Sequence, residues 1–212
     1  METANQLQEF VPITSRALVQ SFIRPEGKIF LLYGDRVVFR LSMIMASQML
    51  SRGDLLAVID GCNGFNVHTI TKFAREKRLD PDILLNRIFI SRGFICYQME
   101  AAITNRFLAF LNANNSRAGM VLGLLDTFYD EQVPSREVQQ ILNRVLLALQ
   151  KIKKDGVSIL LVCYEWNVMS VERNTLFGRL KESADNVYRL TLDEAQKPQL
   201  YLEQPIQRKG RK

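Results

Sequence analysis

Short apolar runs rich in β-branched residues alternate along this chain with longer segments whose apolar residues recur every three or four positions. This alternation is typical of a mostly parallel sheet covered by helices on both faces. We therefore predict an α/β fold. The predicted strands are 29–33, 55–59, 87–90, 120–125 and 158–163, followed by an antiparallel hairpin of 187–192 and 199–202 that closes the sheet.

Four longer segments have the helical period, and we predict helices at 36–51, 66–78, 96–113 and 134–154. The segment 36–51 is apolar almost all round, which suits a helix buried against a sheet. The last helix has the best-marked end, because Lys151, Lys153 and Lys154 favour the negative end of the helix dipole and Gly156 follows.

The length of 212 residues is enough for one hydrophobic core, so one domain is the simplest organisation. We predict an N-terminal segment 1–10, a single core domain 11–205 and a basic tail 206–212. The three cysteines lie far apart and form no CxxC or CxxH pair, so neither a disulfide framework nor a zinc site is indicated. A reducing compartment fits: the cytoplasm, or the nucleus in a eukaryote.

The formal net charge is +6, but residues 208–212 contribute +4 of it, which leaves +2 on residues 1–207. A flexible run of cations can neutralise several phosphates of a nucleic acid, so the tail is a candidate DNA contact. A solvated terminus that aids solubility is the alternative. The cations of the tail are Arg208, Lys209, Arg211 and Lys212.

Acidic residues follow three of the predicted strands: Asp60, Asp126 and Glu165. In open parallel α/β sheets, ligands bind beyond the carboxyl ends of the strands. Acids at such places hold magnesium or orient water in enzymes of phosphoryl transfer. The alternative is structural, because Asp is also a favoured turn residue at strand ends.

Four stretches of the chain, in order, carry a family resemblance. They are VPITSRALVQSFIRPEGKIFLLYG, LLAVIDGCNGFNVHTITKFAREKRLDPDILLNRIFISRGFICYQMEAAI, AGMVLGLLDTFYDEQVPSREVQQILNRVLLALQKIKKDGVSILLVCYE and ADNVYRLTL with QLYLEQP. Together they resemble the core of the RecA/RadA recombinase family, including its paralogues. The resemblance implies a RecA-like, P-loop-type, three-layer fold whose first stretch is a short helix and then the strand leading into the phosphate loop.

The phosphate loop departs from the family pattern. A working loop reads G-x-x-x-x-G-K-[ST], because its glycines let backbone amides wrap the phosphates and its hydroxyl holds magnesium. This chain keeps Gly34 but has Phe39 at the second glycine, Arg40 at the lysine and Leu41 at the hydroxyl. The resemblance thus implies a vestigial, non-functional nucleotide site with no cofactor, and ATP with magnesium only if a residual activity survives.

Two further positions differ from the family. Cys62 follows Asp60 where the family carries a water-activating glutamate, and Glu165 falls where the family places a glutamine that senses the γ-phosphate. Asp126 is kept at the magnesium-binding position, so it is the first metal candidate, with Asp60 and Glu165 as weaker ones. The usual mechanism of ATP hydrolysis is therefore not expected.

The family's two DNA-binding loops correspond to residues 129–136 and 165–174, which are short here. Within them Trp166 could stack on a base and Arg173 could meet a phosphate, although burial of the tryptophan is the commoner outcome. Family members polymerise through an aromatic residue ahead of the core; Phe10 is the candidate, but the usual Phe-x-x-Ala motif is missing.

The expected function is that of a catalytically degenerate accessory or structural factor in DNA recombination or repair. Its expected partners are a RecA-family paralogue or a second copy, and DNA through the tail; no membrane partner is expected. One alternative is an enzyme: an atypical ATPase using Arg40 and Asp126, or a metal-dependent phosphoryl-transfer enzyme using Asp60, Asp126 and Glu165. Another is a regulatory interaction module without nucleic-acid contact.

Overall fold

The structure is a computed structural model that describes residues 10–23, 27–165 and 173–203. Its centre is one eight-stranded sheet with the order β1-β8-β7-β2-β6-β5-β3-β4. The strands are β1 (Phe10–Ile13), β2 (Ile29–Gly34), β3 (Leu56–Asp60), β4 (Ile88–Arg92), β5 (Ala118–Leu122), β6 (Ser158–Tyr164), β7 (Asn186–Leu192) and β8 (Pro198–Glu203).

The sheet is mixed. The neighbours from β7 through β2, β6, β5 and β3 to β4 are all parallel, whereas β8 runs antiparallel to both β7 and β1. The α/β class, the parallel centre and the antiparallel closing hairpin were all predicted from the sequence and are confirmed. The edge strand β1 was not predicted, because four residues give too short a pattern to separate a strand from a loop.

Helices cover both faces of this sheet. The helices are α1 (Ser15–Ile23), α2 (Val37–Ser51), α3 (Val67–Glu76), α4 (Pro81–Leu85), α5 (Cys96–Ala101), α6 (Leu108–Ala113), α7 (Ser135–Lys154) and α8 (Asn174–Ser183). A π-helical segment (Ala102–Phe107) joins α5 to α6, and a 3₁₀ helix (Leu124–Phe128) follows β5. In the described part of the chain, no helix is both long and apolar enough to cross a membrane.

Alternating strand residues supply two separate cores. Ile29, Leu31 and Tyr33 of β2 pack under α5, α6, α7 and α8, whereas Phe30 and Leu32 pack under α1 to α4. This alternation follows from the pleat, which points successive side chains to opposite faces. Because both faces are covered, the central strands are apolar at nearly every position, and this is why they could be identified from the sequence.

One predicted strand was too long. The sequence predicted a strand at 120–125, but β5 ends at Leu122. The next apolar residues, Leu124 and Leu125, belong to the 3₁₀ helix. Gly123 turns the chain with a φ of +61°, a conformation that glycine adopts without strain. Leu124 and Leu125 are as buried as the strand residues before them, so the apolar run continues through a change of secondary structure.

Candidate functional site

The carboxyl ends of the six parallel strands meet at one edge of the sheet. The register pairs Gly34 with Tyr164, and Asp60 with both Leu122 and Arg92. We call this the carboxyl edge. It brings together the predicted loop position that starts at Gly34, Asp60, Asp126 and Glu165, as expected for residues that follow parallel strands.

The segment after β2 is a helix rather than a phosphate loop. Only Asp35 and Arg36 separate the end of β2 at Gly34 from the start of α2 at Val37. The carboxylate of Asp35 accepts a hydrogen bond from the Val37 amide at 3.0 Å, which satisfies one of the free amides of the first helical turn. Gly34 has a φ of +127°, and a Cβ there would lie 2.1 Å from the carbonyl oxygen of Leu190 on β7. This close approach to β7 alone requires a glycine at position 34.

Phe39 lies inside the protein on the side of α2 that faces the carboxyl edge. Its side chain is 7% exposed, and its ring centroid lies 4.6 Å from that of Tyr164 at the end of β6. A Cβ on Gly64, in the loop after β3, would come within 2.5 Å of the Phe39 ring. The guanidinium of Arg36 lies 5.3 Å from the centre of the Tyr164 ring, on its face. The space between α2, the end of β6 and the loop after β3 is therefore filled by aromatic side chains.

Arg40 and Leu41 do not contribute to this aromatic contact. Arg40 is exposed on α2 and borders two surface cavities of about 490 and 400 Å³. Leu41 is 9% exposed and belongs to the core under α1 to α4. Among the described residues, no hydrogen bond or ion pair joins Arg40 to the acids of the carboxyl edge.

Asp60 shapes the loop that follows β3. It is 1% exposed, and its carboxylate accepts backbone hydrogen bonds from Cys62 at 3.2 Å, Gly64 at 2.9 Å and Phe65 at 3.1 Å. Its Oδ2 also lies 3.9 Å from Nε of Arg92 on β4. Since both carboxylate oxygens accept backbone amides, Asp60 acts here as a structural acceptor, which is the alternative left open by the sequence.

Cys62 lies between Asp60 and the start of the 3₁₀ helix. Burial, with the neighbouring carboxylates of Asp126 and then Asp60, raises the pKa of its thiol to about 12. A Cβ on Gly123 would come within 2.4 Å of Cys62 Sγ, so the thiol packs directly on the turn after β5. At neutral pH this thiol is protonated, so it is a poor nucleophile.

Asp126 lies in the second turn after β5. It is half-buried within the 3₁₀ helix rather than at the end of a strand. Its negative charge contributes to raised pKa values of Cys62, Cys163 and Tyr129, with burial as the larger cause in each case. One of its carboxylate oxygens lies 3.0 Å from the position of a Cβ on Gly123, next to the turn after β5.

Glu165 is held by an arginine. Both of its carboxylate oxygens accept hydrogen bonds from Nη2 of Arg189 on β7, at 3.0 and 2.9 Å. The sequence predicted strand β7 but not this contact, because β7 follows Glu165 by more than twenty residues and pairs with β2 rather than β6. The charge of Glu165 is thus compensated within the fold.

In the described ranges, no three or more His, Cys, Asp or Glu side chains lie close enough together to hold a metal ion. Asp60 is occupied by backbone amides and Glu165 by Arg189. The donor set predicted for a metal-dependent enzyme, Asp60 with Asp126 and Glu165, therefore does not fit a shared cation in this arrangement.

The predicted DNA contacts divide into two groups. Trp166 and the tail cations Arg208, Lys209, Arg211 and Lys212 lie outside the described residues. Arg173 is 4% exposed, and its guanidinium donates hydrogen bonds to the carbonyl oxygens of Phe128 and Val133, the latter at 2.6 Å. Its predicted contact with a phosphate is therefore corrected: the side chain anchors the loop between the 3₁₀ helix and α7.

A buried polar cluster, not found from the sequence, lies on the opposite side of β2 from Phe30. The hydroxyl of Tyr33 donates a hydrogen bond to Glu203 at the end of β8, and Lys181 of α8 lies 2.5 Å from the same carboxylate. Lys181 Nζ is also 4.9 Å from the centre of the Tyr33 ring. The cluster joins three elements that are distant in the sequence, and no local pattern marks it.

Comparison of the sequence with protein families and with curated proteins found no relative of this chain. No model of a protein family matches the sequence, and no curated protein matches it with significance.

Proposed function

We propose that this protein is a catalytically degenerate RecA/RadA-like factor that acts as an accessory or structural partner in DNA recombination or repair. It binds a paralogue or a second copy, DNA, or both. The observation that carries the loss of catalysis is the contact between Phe39 and Tyr164, because it fills the place of the nucleotide phosphates in the family pattern.

The backbone of the vestigial loop supports the same proposal. A phosphate loop binds its ligand through successive backbone amides that are free of other partners. Here the amide of Val37 donates to the Asp35 carboxylate, that of Val38 to the Asp35 carbonyl at 2.9 Å, and that of Phe39 to the Arg36 carbonyl at 3.2 Å. Binding a phosphate would require the first turn of α2 to unwind as well as Phe39 to move.

The family assignment is supported by the collinear sequence resemblance and by an arrangement compatible with it. Three strands lie side by side in the order β2-β6-β5. Strand β2 precedes the vestigial loop, β6 precedes Glu165 and β5 precedes Asp126. A fold of this kind hosts many functions, so the function is inferred from the site and not from the fold alone.

An exposed apolar surface supports the binding of a protein partner. Strand β4 is an edge of the sheet, and four large apolar side chains on it or just after it are exposed by 37–73%. They are Ile90, Phe94, Ile95 and Tyr97. Exposed apolar residues beside an open strand edge are typical of surfaces that another chain covers.

The nucleotide part of the proposal is tested by isothermal titration calorimetry with ATP and magnesium. We expect no saturable heat and no phosphate release. Saturable micromolar binding would contradict the proposal, and turnover that disappears in Asp126→Asn would support the atypical ATPase instead. The matched variant is Tyr164→Ala, which removes the ring contact with Phe39 but leaves the amides of the first α2 turn hydrogen-bonded. It should therefore also show no saturable heat with ATP.

The exposed apolar surface of β4 also favours a second candidate, a regulatory interaction module without nucleic-acid contact. This candidate predicts that the protein binds a protein partner while the mobility of DNA at low salt stays unchanged. A measurable mobility shift by the full-length protein would exclude it.

A further inference from the structure

Charged residues are unevenly divided between the two ends of the parallel strands. The described carboxyl ends of β2 to β6 and the described loops directly after them carry six acids and two cations. These residues are Asp35, Arg36, Asp60, Arg92, Asp126, Asp130, Glu131 and Glu165. A polyanion that approached this edge would meet a net negative charge among the described residues.

The opposite end of the sheet carries the reverse charge. We call it the basic edge, and define it by five cations: Lys28, Arg117, Lys151, Lys153 and Lys154. Three described acids accompany them: Asp54, Asp155 and Asp185. The cations come from three segments that are distant in the sequence, so only the fold shows that they form one surface.

Backbone contacts place these segments together. The carbonyl oxygen of Lys28, just before β2, accepts the Ile159 amide of β6 at 2.8 Å, and that of Arg117, just before β5, accepts the Ser158 amide at 2.9 Å. Lys28 and Arg117 therefore flank the start of β6, about 10 Å apart at the backbone for two strand spacings. The last turn of α7 ends close to both residues: Arg117 contacts Asp155, and Gly27, next to Lys28, packs against Lys153.

The α7 cations reach the same surface through the turn before β6. Nη1 of Arg117 donates a hydrogen bond to the carbonyl oxygen of Asp155 at 3.2 Å, and a Cβ on Gly27 would lie 2.4 Å from the carbonyl oxygen of Lys153. The end of α7 thus lies against both the start of β5 and the start of β2.

Most of this positive charge is accessible. Arg117, Lys151 and Lys154 are exposed, and neither lysine of this trio forms an ion pair with another described residue. Lys153 is paired with Asp185 at 2.5 Å. Arg117 uses one of its five N–H donors on a backbone carbonyl, so it keeps donors for a ligand.

A cleft of about 260 Å³ opens beside Arg117 on this edge. Asn114, Asn115 and Ser116 line it together with Arg117, and Asp54 is the acid among its lining residues. The Ser116 hydroxyl is buried and donates to the Leu55 carbonyl oxygen, so the exposed amides of Asn114 and Asn115 are the polar groups that remain beside Arg117. Such amides next to an arginine are groups that proteins use to contact phosphate and sugar oxygens.

We propose that the basic edge contacts the phosphate backbone of DNA. The proposal rests on the DNA-binding part of the proposed function and assigns that binding to a surface of the folded core. An anionic membrane is the less suitable partner, because the exposed leucine one turn before Lys151 on α7, Leu147, offers only a single side chain to insert among lipids.

The test is fluorescence anisotropy of a short labelled DNA duplex with the full chain, measured from about 50 to 200 mM salt. In Lys151→Glu/Lys154→Glu we expect affinity to fall at least about tenfold and the slope of log affinity against log salt to decrease by about 2. The matched control is Lys72→Glu/Lys197→Glu, which makes the same change in net charge at two exposed lysines outside the basic edge and should bind nearly as the unaltered protein does. Lys151→Gln/Lys154→Gln serves as a milder pair, and thermal unfolding checks that each variant is folded.

Several results would overturn the proposal. Equal losses in both charge-reversed pairs would mean that only net charge matters. Unchanged binding in the lysine pair, with loss on deletion of residues 208–212, would place the contact in the tail and leave the proposed function standing. Binding to phosphatidylserine vesicles but not to DNA would identify a membrane surface. The absence of DNA binding by the unaltered protein would remove this inference, whereas the loss of catalysis is judged separately by the nucleotide titration.

Discussion

The hydroxyl of Tyr33 donates a hydrogen bond to the carboxylate of Glu203, which joins the central strand β2 to the last strand of the fold. Both side chains are at least 96% buried, and Lys181 compensates the charge of the carboxylate. Removing one member of a buried, hydrogen-bonded charge pair leaves the other without compensation. The closing hairpin therefore depends on a contact that spans most of the chain.

This contact predicts a change in stability at high pH. Burial and the hydrogen bond to Glu203 raise the pKa of Tyr33 well above the ordinary value of 10.0. The native state then keeps a proton that the unfolded chain loses, so stability is complete below about pH 10 and falls as pH rises above it. In Tyr33→Phe the decline should be shallower, by at most about 1.4 kcal/mol per pH unit. Urea unfolding between pH 8 and 11 measures it; identical slopes would contradict the assignment.

The packing of Phe39 predicts a loss of stability without a gain of function. Phe39→Ala removes a buried ring that contacts Tyr164 and Gly64, so we expect the free energy of unfolding to fall by about 3 kcal/mol. ATP binding should not appear, because the amides of the first α2 turn keep their partners. Leu147→Ala, at a side chain that is 69% exposed, is the control and should change stability by less than about 0.5 kcal/mol. Nucleotide binding by Phe39→Ala would show that the ring alone closes the site.

The environment of Cys62 predicts slow alkylation. With a pKa of about 12, only a minute fraction of the thiol is ionised at neutral pH, so iodoacetamide should react far more slowly than with an ordinary cysteine. Asp126→Asn removes the second-largest cause of the raised pKa and should accelerate the reaction at fixed pH, whereas Asp54→Asn, an exposed site, should not. Peptide mass spectrometry follows the modification. Equal rates in both variants would show that Asp126 does not act on this thiol.

The role of Asp60 as a backbone acceptor predicts graded effects of two substitutions. Asp60→Ala leaves three loop amides without their acceptor, and we expect a loss of at least about 3 kcal/mol. Asp60→Asn keeps one acceptor oxygen and should cost less. If Asp60 served instead in catalysis, both variants would retain full stability in chemical denaturation.

The apolar pattern of the sequence was sufficient to predict a helix or strand where the features that define it are local. The helix predicted at 134–154 is α7 at Ser135–Lys154, because its buried stripe and its charged end are both local features. Helix α8 was not predicted, since its two buried residues, Leu176 and Leu180, give one short contact to the core. The 3₁₀ helix after β5 was read as strand because burial continues across Gly123.

The sequence by itself determined the α/β class and the central strands, because these depend on residue type and local period. Only the tertiary structure decided what pairs with two of the acids: Arg189 with Glu165, and Tyr33 and Lys181 with Glu203. It also placed acids at the carboxyl edge of the sheet and cations at the basic edge. The physical reason is that partners brought together by strand order lie far apart along the chain, and no local pattern encodes their distance.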